Sequence, residues 1–98
     1  MDVMDATRVF LRVAELSSFT AAASALSVPR ASVSAAVQQL EERLGTRLLQ
    51  RTTRRVTLTR DGEIFYARAR DLLDDFEELA SLFHGEDAPL SGRIRVDM

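Results

Sequence analysis

With 98 residues, 46% of them hydrophobic and 29% charged, the chain has room for one domain, or one small domain with a single projecting element. It has no cysteine, which excludes disulfides, thiolate metal sites and cysteine nucleophiles, and its one histidine, His84, cannot build a metal site alone. The net charge of −2 conceals an asymmetry: residues 1–62 carry nine Arg against six acids, residues 63–98 carry four Arg against nine, and Arg43 to Arg60 holds six arginines and no acid. Such a division suggests one region that faces a polyanion and another that faces something else.

Asp2, Asp5 and Arg8 interrupt the N-terminus, so it does not read as a secretory signal. No apolar run approaches the roughly 20 residues that span a bilayer, and a soluble, cytoplasmic protein is the expectation. From Asp5 to Ser17, Ala6, Val9, Phe10, Val13, Ala14 and Leu16 fall at helical spacing with one buried face, and Asp2 or Asp5 serves the helix start. Ser17-Ser18 breaks the pattern. Thr20 then reads as an N-cap for the short alanine-rich helix Ala21 to Leu26. Ser27-Val28-Pro29 makes a turn, with Pro29 suited to the first position of a third helix. That helix runs to Leu44, burying Val33, Val37, Leu40 and Leu44, and Gly45 stops it in a left-handed conformation.

A short small-residue helix, a tight turn and a longer helix make a helix-turn-helix. From Arg47 to Thr59 the period changes: Leu48-Leu49 and Val56 to Thr59 flank the polar stretch Thr52 to Arg55, which reads as a hairpin. A hairpin in this place is a wing, with Arg54 and Arg55 at its tip and Arg51 at its base. A long helix follows, with Thr59 as N-cap and Asp61 in its first turn. Phe65, Ala69, Leu72, Phe76, Leu79 and Phe83 form a heptad seam along it, and acids fill the remaining faces. Part of the seam can pack on the three-helix core, but its distal part projects beyond and calls for a partner helix. His84, beside Gly85, suits the helix C-terminus. Residues 86–92 read as a linker, and Arg93 to Met98 alternate like a strand with no sheet to join.

The expected fold is mainly α: a winged helix-turn-helix of three helices plus a two-stranded wing over 1–60, with the helix-turn-helix at about 19–44 and the wing at about 46–59. A linker or dimerisation helix occupies 61–85. In that order the elements resemble the N-terminal region of a LysR-type transcriptional regulator. The residues that carry the resemblance are Phe10, Ser18-Phe19-Thr20-Ala21-Ala22-Ala23, Leu26-Ser27-Val28, Val33-Ser34, Leu40-Glu41-Glu42-Arg43-Leu44-Gly45, Leu48 to Arg51, Arg54-Arg55-Val56 and Leu58 to Gly62. Ser91 to Val96 is similar to the first strand of the family's effector-binding domain, which makes 86–98 a hinge and the start of a domain cut short. Two departures stand out. Pro29-Arg30-Ala31 replaces the usual Ser-Gln-Pro, and Ser34-Ala35-Ala36 replaces the usual Ser-Arg-Gln, so a long polar side chain is lost at 35 and one is gained at 30.

The resemblance implies a bacterial regulator that binds double-stranded DNA as a dimer. With the third helix in the major groove, helical geometry turns Arg30, Ala31, Ser34, Ala35 and Gln38 toward the bases, with Ser32 as a further candidate. Arg30 can reach guanine O6 and N7, Ser34 a base or phosphate, and Ala31 and Ala35 a thymine methyl. Thr20 is a candidate phosphate contact, although capping alone accounts for it. Arg51 resembles the family's backbone-contacting arginine, Thr52 is its neighbour, and Arg54 with Arg55 would enter a narrow minor groove. The implied partners are a second copy through the seam helix, in antiparallel pairing and reading an interrupted inverted repeat, with tetramers in the full-length protein and a small-molecule effector only in the missing C-terminal domain. No cofactor or metal is expected, and one histidine without cysteine assembles no catalytic constellation. The competing readings are a coiled-coil interaction module that ignores nucleic acid and a nonspecific architectural DNA binder.

Overall fold

A computed structural model describes residues 2–51 and 55–84. The elements run α1 (Val3–Leu16), α2 (Phe19–Leu26), α3 (Arg30–Leu44), β1 (Leu49–Arg51), β2 (Val56–Leu58) and α4 (Arg60–His84). This is the expected winged helix-turn-helix with a long trailing helix. The linker and strand expected over 86–98 lie outside the described residues.

The boundaries follow from local chemistry. Asp2 caps α1, its carboxylate accepting from Asp5 N–H at 2.8 Å, and Ser17 ends the helix in the left-handed region at φ 55°. The cap of α2 differs from expectation. Ser18, not Thr20, is the N-cap, its Oγ accepting from Ala21 N–H at 3.0 Å, while Thr20 sits exposed in the first turn. Burial decides between the two: Phe19 is only 3% exposed, and starting the helix at 19 delivers its ring to the core. Pro29 is likewise one position earlier than expected. It is the N-cap of α3, with ψ 148°, and its carbonyl accepts from Ser32 and Val33 N–H. Gly45 ends α3 at φ 73°, as the sequence indicates.

The core gathers Ala6, Val9, Phe10 and Val13 of α1, Phe19, Ala22 and Ala23 of α2, and Val33, Ala36, Val37 and Leu40 of α3, closed below by Leu48 and Leu49. Phe10 is fully buried, and its ring meets that of Phe65 from α4 edge-on at 5.6 Å. Leu16 and Leu44, read as buried from their spacing, are both 42% exposed because each lies in the last turn of its helix, past the core. The wing is a short antiparallel ladder pairing Leu49 with Leu58, Gln50 with Thr57 and Arg51 with Val56.

The junction of α3, wing and α4 converges on Leu48. Glu41 Oε2 accepts from the N–H groups of Leu48 and Leu49 at 2.9 and 3.1 Å, while the Leu48 carbonyl accepts from Thr59 N–H at 3.0 Å. Thr59 caps α4 as expected, its Oγ1 accepting from Gly62 N–H at 2.9 Å while donating to the Arg47 carbonyl at 2.7 Å. Thr46 Oγ1 donates to Asp61 Oδ2 at 2.6 Å. At Gly62 a Cβ would overlap the Leu48 carbonyl oxygen, so the first turn of α4 can lie on the wing's root only with glycine there.

The α4 seam divides between two faces. Phe65 is half-buried against the chain's own core, and Ala69 and Leu73, the latter left out of the heptad reading, are buried further along the helix. Leu72, Phe76, Leu79 and Phe83 are exposed at 68, 46, 54 and 83%. The inward positions are four apart, the spacing by which a straight helix of 3.6 residues per turn keeps to one neighbour over two turns. Arg8 Nε reaches Glu77 Oε2 at 3.8 Å across the α1–α4 contact, an exposed pair that adds little stability.

Gly62→Ala is expected to destabilise the fold by about 2–4 kcal/mol, because backbone rather than a flexible side chain must yield. Gly45→Ala, with open space around it but a left-handed backbone, should cost only about 1–2 kcal/mol. Urea unfolding of both variants followed by circular dichroism checks the order.

Candidate nucleic-acid interface

The outward face of α3 is built by exclusion. Val33, Ala36, Val37 and Leu40 point into the core, which leaves Arg30, Ala31, Ala35 and Gln38 exposed on the opposite side. Ser34 lies half-buried within that face and Ser32 half-buried at its edge, beside Ala36. The sequence-derived groove residues thus share one surface, with Arg30 as their only cation.

Thr20 stands exposed in the first turn of α2, close in sequence to the cap at Ser18. Arg51 is not at the wing's base. It occupies the far end of the described ladder, opposite Val56, and its guanidinium lies over the Phe19 ring, 4.4 Å from the centroid. The base is formed by Leu48 and Leu49, whose side chains are buried, while Gln50 and Arg51 of β1 are exposed. Arg30, from the start of α3, lies over the same ring at 5.8 Å. Arg55 is exposed on the approach to β2, whereas Thr52 and Arg54 lie outside the described residues.

Between the second half of α3 and β1 runs an open groove lined by Gln38, Glu42, Arg47, Gln50 and Arg51 among others. Its chemistry is polar and its cations come from the wing side. Glu41 faces it too, but its carboxylate is engaged by the Leu48 and Leu49 N–H groups. That engagement lets an acid sit beside a surface suited to a polyanion without presenting free acceptor lone pairs at its Oε2.

Phe19 and Glu41 are the residues whose site roles the spacing did not disclose. Phe19 is aromatic at the first position of an otherwise small-residue helix, a signal that it fills a specific place. Glu41 leaves no such trace, since an acid in the penultimate turn of an exposed helix usually faces water. No helix among the described residues is long and apolar enough to cross a membrane, and no group of three or more His, Asp or Glu side chains among them is placed to hold a metal.

Residues 4–63 match the family model for the bacterial regulatory helix-turn-helix protein, lysR family. The chain belongs to that family. It is 48% identical over all 98 residues to the HTH-type transcriptional regulator YhjC of Escherichia coli K12, of which the match covers 33%. It is also 44% identical over 97 residues to an HTH-type transcriptional repressor of Pseudomonas aeruginosa UCBPP-PA14, covering 99% of this chain and 31% of the relative. The chain thus spans about a third of the length of these curated relatives. Among solved structures, the BenM DNA-binding domain in complex with catB site 1 DNA superimposes with a TM-score of 0.78 at 38% identity, covering 83% of this chain and 90% of that one. Full-length CbnR complexed with its target DNA gives a TM-score of 0.77 at 32% identity, over 83% of this chain and 28% of that one.

Removal of the Glu41 carboxylate leaves two backbone N–H groups of the wing root without an acceptor. Glu41→Ala is expected to cost about 2–3 kcal/mol and Glu41→Gln less, since the amide keeps one acceptor oxygen. Hydrogen exchange should show Leu48 and Leu49 amides losing protection ahead of the α1 amides.

Proposed function

We propose that this chain is the DNA-binding and dimerising portion of a bacterial transcription regulator, acting on double-stranded DNA in the cytoplasm and without enzymatic activity of its own. The observation that carries the reading is the single outward surface made by Arg30, Ala31, Ser34, Ala35 and Gln38 of α3 with Arg51 of the wing beside it. A helix offers such a face to a major groove, which is wide enough to admit it. Likeness to DNA complexes of BenM and CbnR supports the assignment.

In this reading Arg30 addresses guanine O6 and N7, Ser32, Ser34 and Gln38 offer hydrogen bonds, and Ala31 and Ala35 offer methyl contacts to thymine. Thr20, Arg51 and Thr52 contact the phosphate backbone, and Arg54 and Arg55 follow the minor groove. Residues 1–60 form the binding domain, 61–85 the linker helix, and 86–98 a hinge into an effector-binding domain that lies beyond this chain. That further domain would hold the small-molecule effector and the contacts that make tetramers.

The exposed stripe of Leu72, Phe76, Leu79 and Phe83 pairs two copies through α4. Charge favours an antiparallel arrangement. In the proximal half of the helix Arg60, Arg68 and Arg70 offset Asp61, Glu63 and Asp71, while Asp74, Asp75, Glu77 and Glu78 leave the distal half acidic. Parallel helices would set the two acidic halves side by side, whereas antiparallel helices place each acidic half along the partner's charge-balanced half, where Arg68 and Arg70 lie. A two-fold dimer then presents two recognition helices to an interrupted inverted repeat.

Selection from randomised duplexes at physiological salt tests the reading and should enrich an interrupted palindrome with affinity falling steeply as salt rises. Binding without enrichment supports an architectural role, and no binding at low salt supports a coiled-coil interaction module. On the selected site, Arg30→Ala should cost about 1–3 kcal/mol at a single G·C pair per half-site, read as lost discrimination there. Leu72→Asp or Phe76→Asp should give monomers by sedimentation together with weakened DNA binding, and an unchanged dimer mass counts against pairing through α4.

A further inference from the structure

Three elements bring side chains together at Phe19. The ring is 3% exposed and forms part of the core, yet two cations lie over it, Arg51 at 4.4 Å and Arg30 at 5.8 Å from its centroid. They come from different elements, Arg30 from the first residue of α3 and Arg51 from the end of β1. Among the described residues neither arginine is paired with a carboxylate. Among the described residues, the electronegative group that both guanidinium groups meet is the π face of Phe19.

We propose that Phe19 is a positioning residue for sequence recognition: its ring holds Arg30 and Arg51 together beside the recognition helix, so that Arg30 addresses a guanine edge while Arg51 addresses the neighbouring phosphate. The proposal rests on the reading of α3 and the wing as a DNA interface and deepens it.

Three physical arguments carry it. A guanidinium held by a ring interacts through its planar face and keeps its N–H donors for a ligand, which an ion pair with a carboxylate would occupy. Arginine is long and rich in rotamers, so fixing it before binding removes ordering cost from the encounter. Two cations on one ring also repel each other, and that repulsion is relieved when acceptor oxygens or nitrogens arrive, as at a guanine edge with its adjoining phosphate. Arg30 is the only cation on the outward face of α3, so guanine reading by that helix depends on where this one side chain is held.

A merely structural Phe19 would predict only stability effects, and the test separates the two roles. Phe19 is replaced in the 98-residue chain by difluoro- and pentafluorophenylalanine, which keep nearly the same shape while draining and then inverting the charge of the ring face. Affinity is measured on the selected duplex and on duplexes altered at the G·C pair that Arg30 reads, beside thermal unfolding of each variant. Affinity is expected to fall in steps with fluorination, about fivefold to tenfold in total, with discrimination at that G·C pair reduced and unfolding temperature held. The same fluorination in an Arg30→Gln, Arg51→Gln background should change affinity less than twofold. In the DNA-free protein, the Arg30 and Arg51 side-chain NMR signals should be shifted upfield by the ring, and Phe19→Leu should remove that shift.

Wild-type binding that is indifferent to fluorination overturns the platform while leaving the DNA reading intact. An equal loss in the double-arginine background overturns it too, since the ring would then act through packing. A wild-type chain that binds no duplex overturns the DNA reading and this proposal with it.

Discussion

Leu48 joins the parts of this fold that must keep a fixed relation to one another. Its side chain is buried in the helical core, its N–H is held by Glu41 of α3, and its carbonyl is held by Thr59 at the start of α4. Gly62 lies against that same carbonyl. A single residue thereby connects the recognition helix, the wing and the trailing helix through backbone groups, which have far less freedom than side chains. A two-stranded ribbon is marginal by itself. This wing has only three paired positions, so its orientation comes from the root more than from the ladder. The proposed interface needs α3 and wing presented at one fixed spacing, and the Glu41 carboxylate with the Leu48 carbonyl supplies it.

The long helix answers a second constraint, because it packs against the chain's own helices on one side and carries an exposed apolar stripe on another. Phe65 packs against the chain's own core, Ala69 and Leu73 continue its four-residue spacing as buried positions, and the exposed stripe begins at Leu72, one residue away. Sharing a helix in this way makes the two contacts rigid with respect to each other. Whatever covers Leu72, Phe76, Leu79 and Phe83 is therefore fixed in direction relative to α1, with which Phe65 interlocks through Phe10. In a dimer built on that stripe, the distance between the two recognition helices follows from the helix rather than from a flexible linker.

Much of this was legible in the sequence because it depends on local chemistry. The helix stops at Ser17 and Gly45, the cap at Thr59, the turn into α3 and the change of period at the wing all stand where composition and spacing indicate. The misplacements share a cause. Thr20 and Ser18 are equally good caps in isolation, and the burial of Phe19 selects between them. Pro29 has the same φ at a cap as at the first helical position, and only ψ separates the two. Arg51 looks basal by its place in the hairpin, yet the ring beneath it belongs to α2, thirty-odd positions away. Leu73 is invisible to a seven-residue repeat because the neighbour it meets is not another copy of the same helix. At Phe19, Arg51 and Leu73 the tertiary packing overrides a sound local preference.

The departures from the usual family pattern can be sorted on the same physical basis. Ala36 stands where the family has glutamine, and here it is 1% exposed, so this change belongs to packing and leaves the outer surface untouched. Ala35, Ala31 and Arg30 are exposed, so their changes alter the surface itself. Their combined effect is to strip the middle of α3 of a long cation and place one at its first residue. At position 35 such a cation would stand among the small side chains of Ala31, Ser32 and Ser34. At position 30 it lies over Phe19, beside the wing arginine that shares the ring. Relocation thus moves a cation on the outward face from mid-helix to its first residue, beside the wing, and under the proposed DNA reading the point of guanine contact moves with it. A base preference inferred from typical members would miss that shift, because the residues that cause it include an aromatic on a different helix.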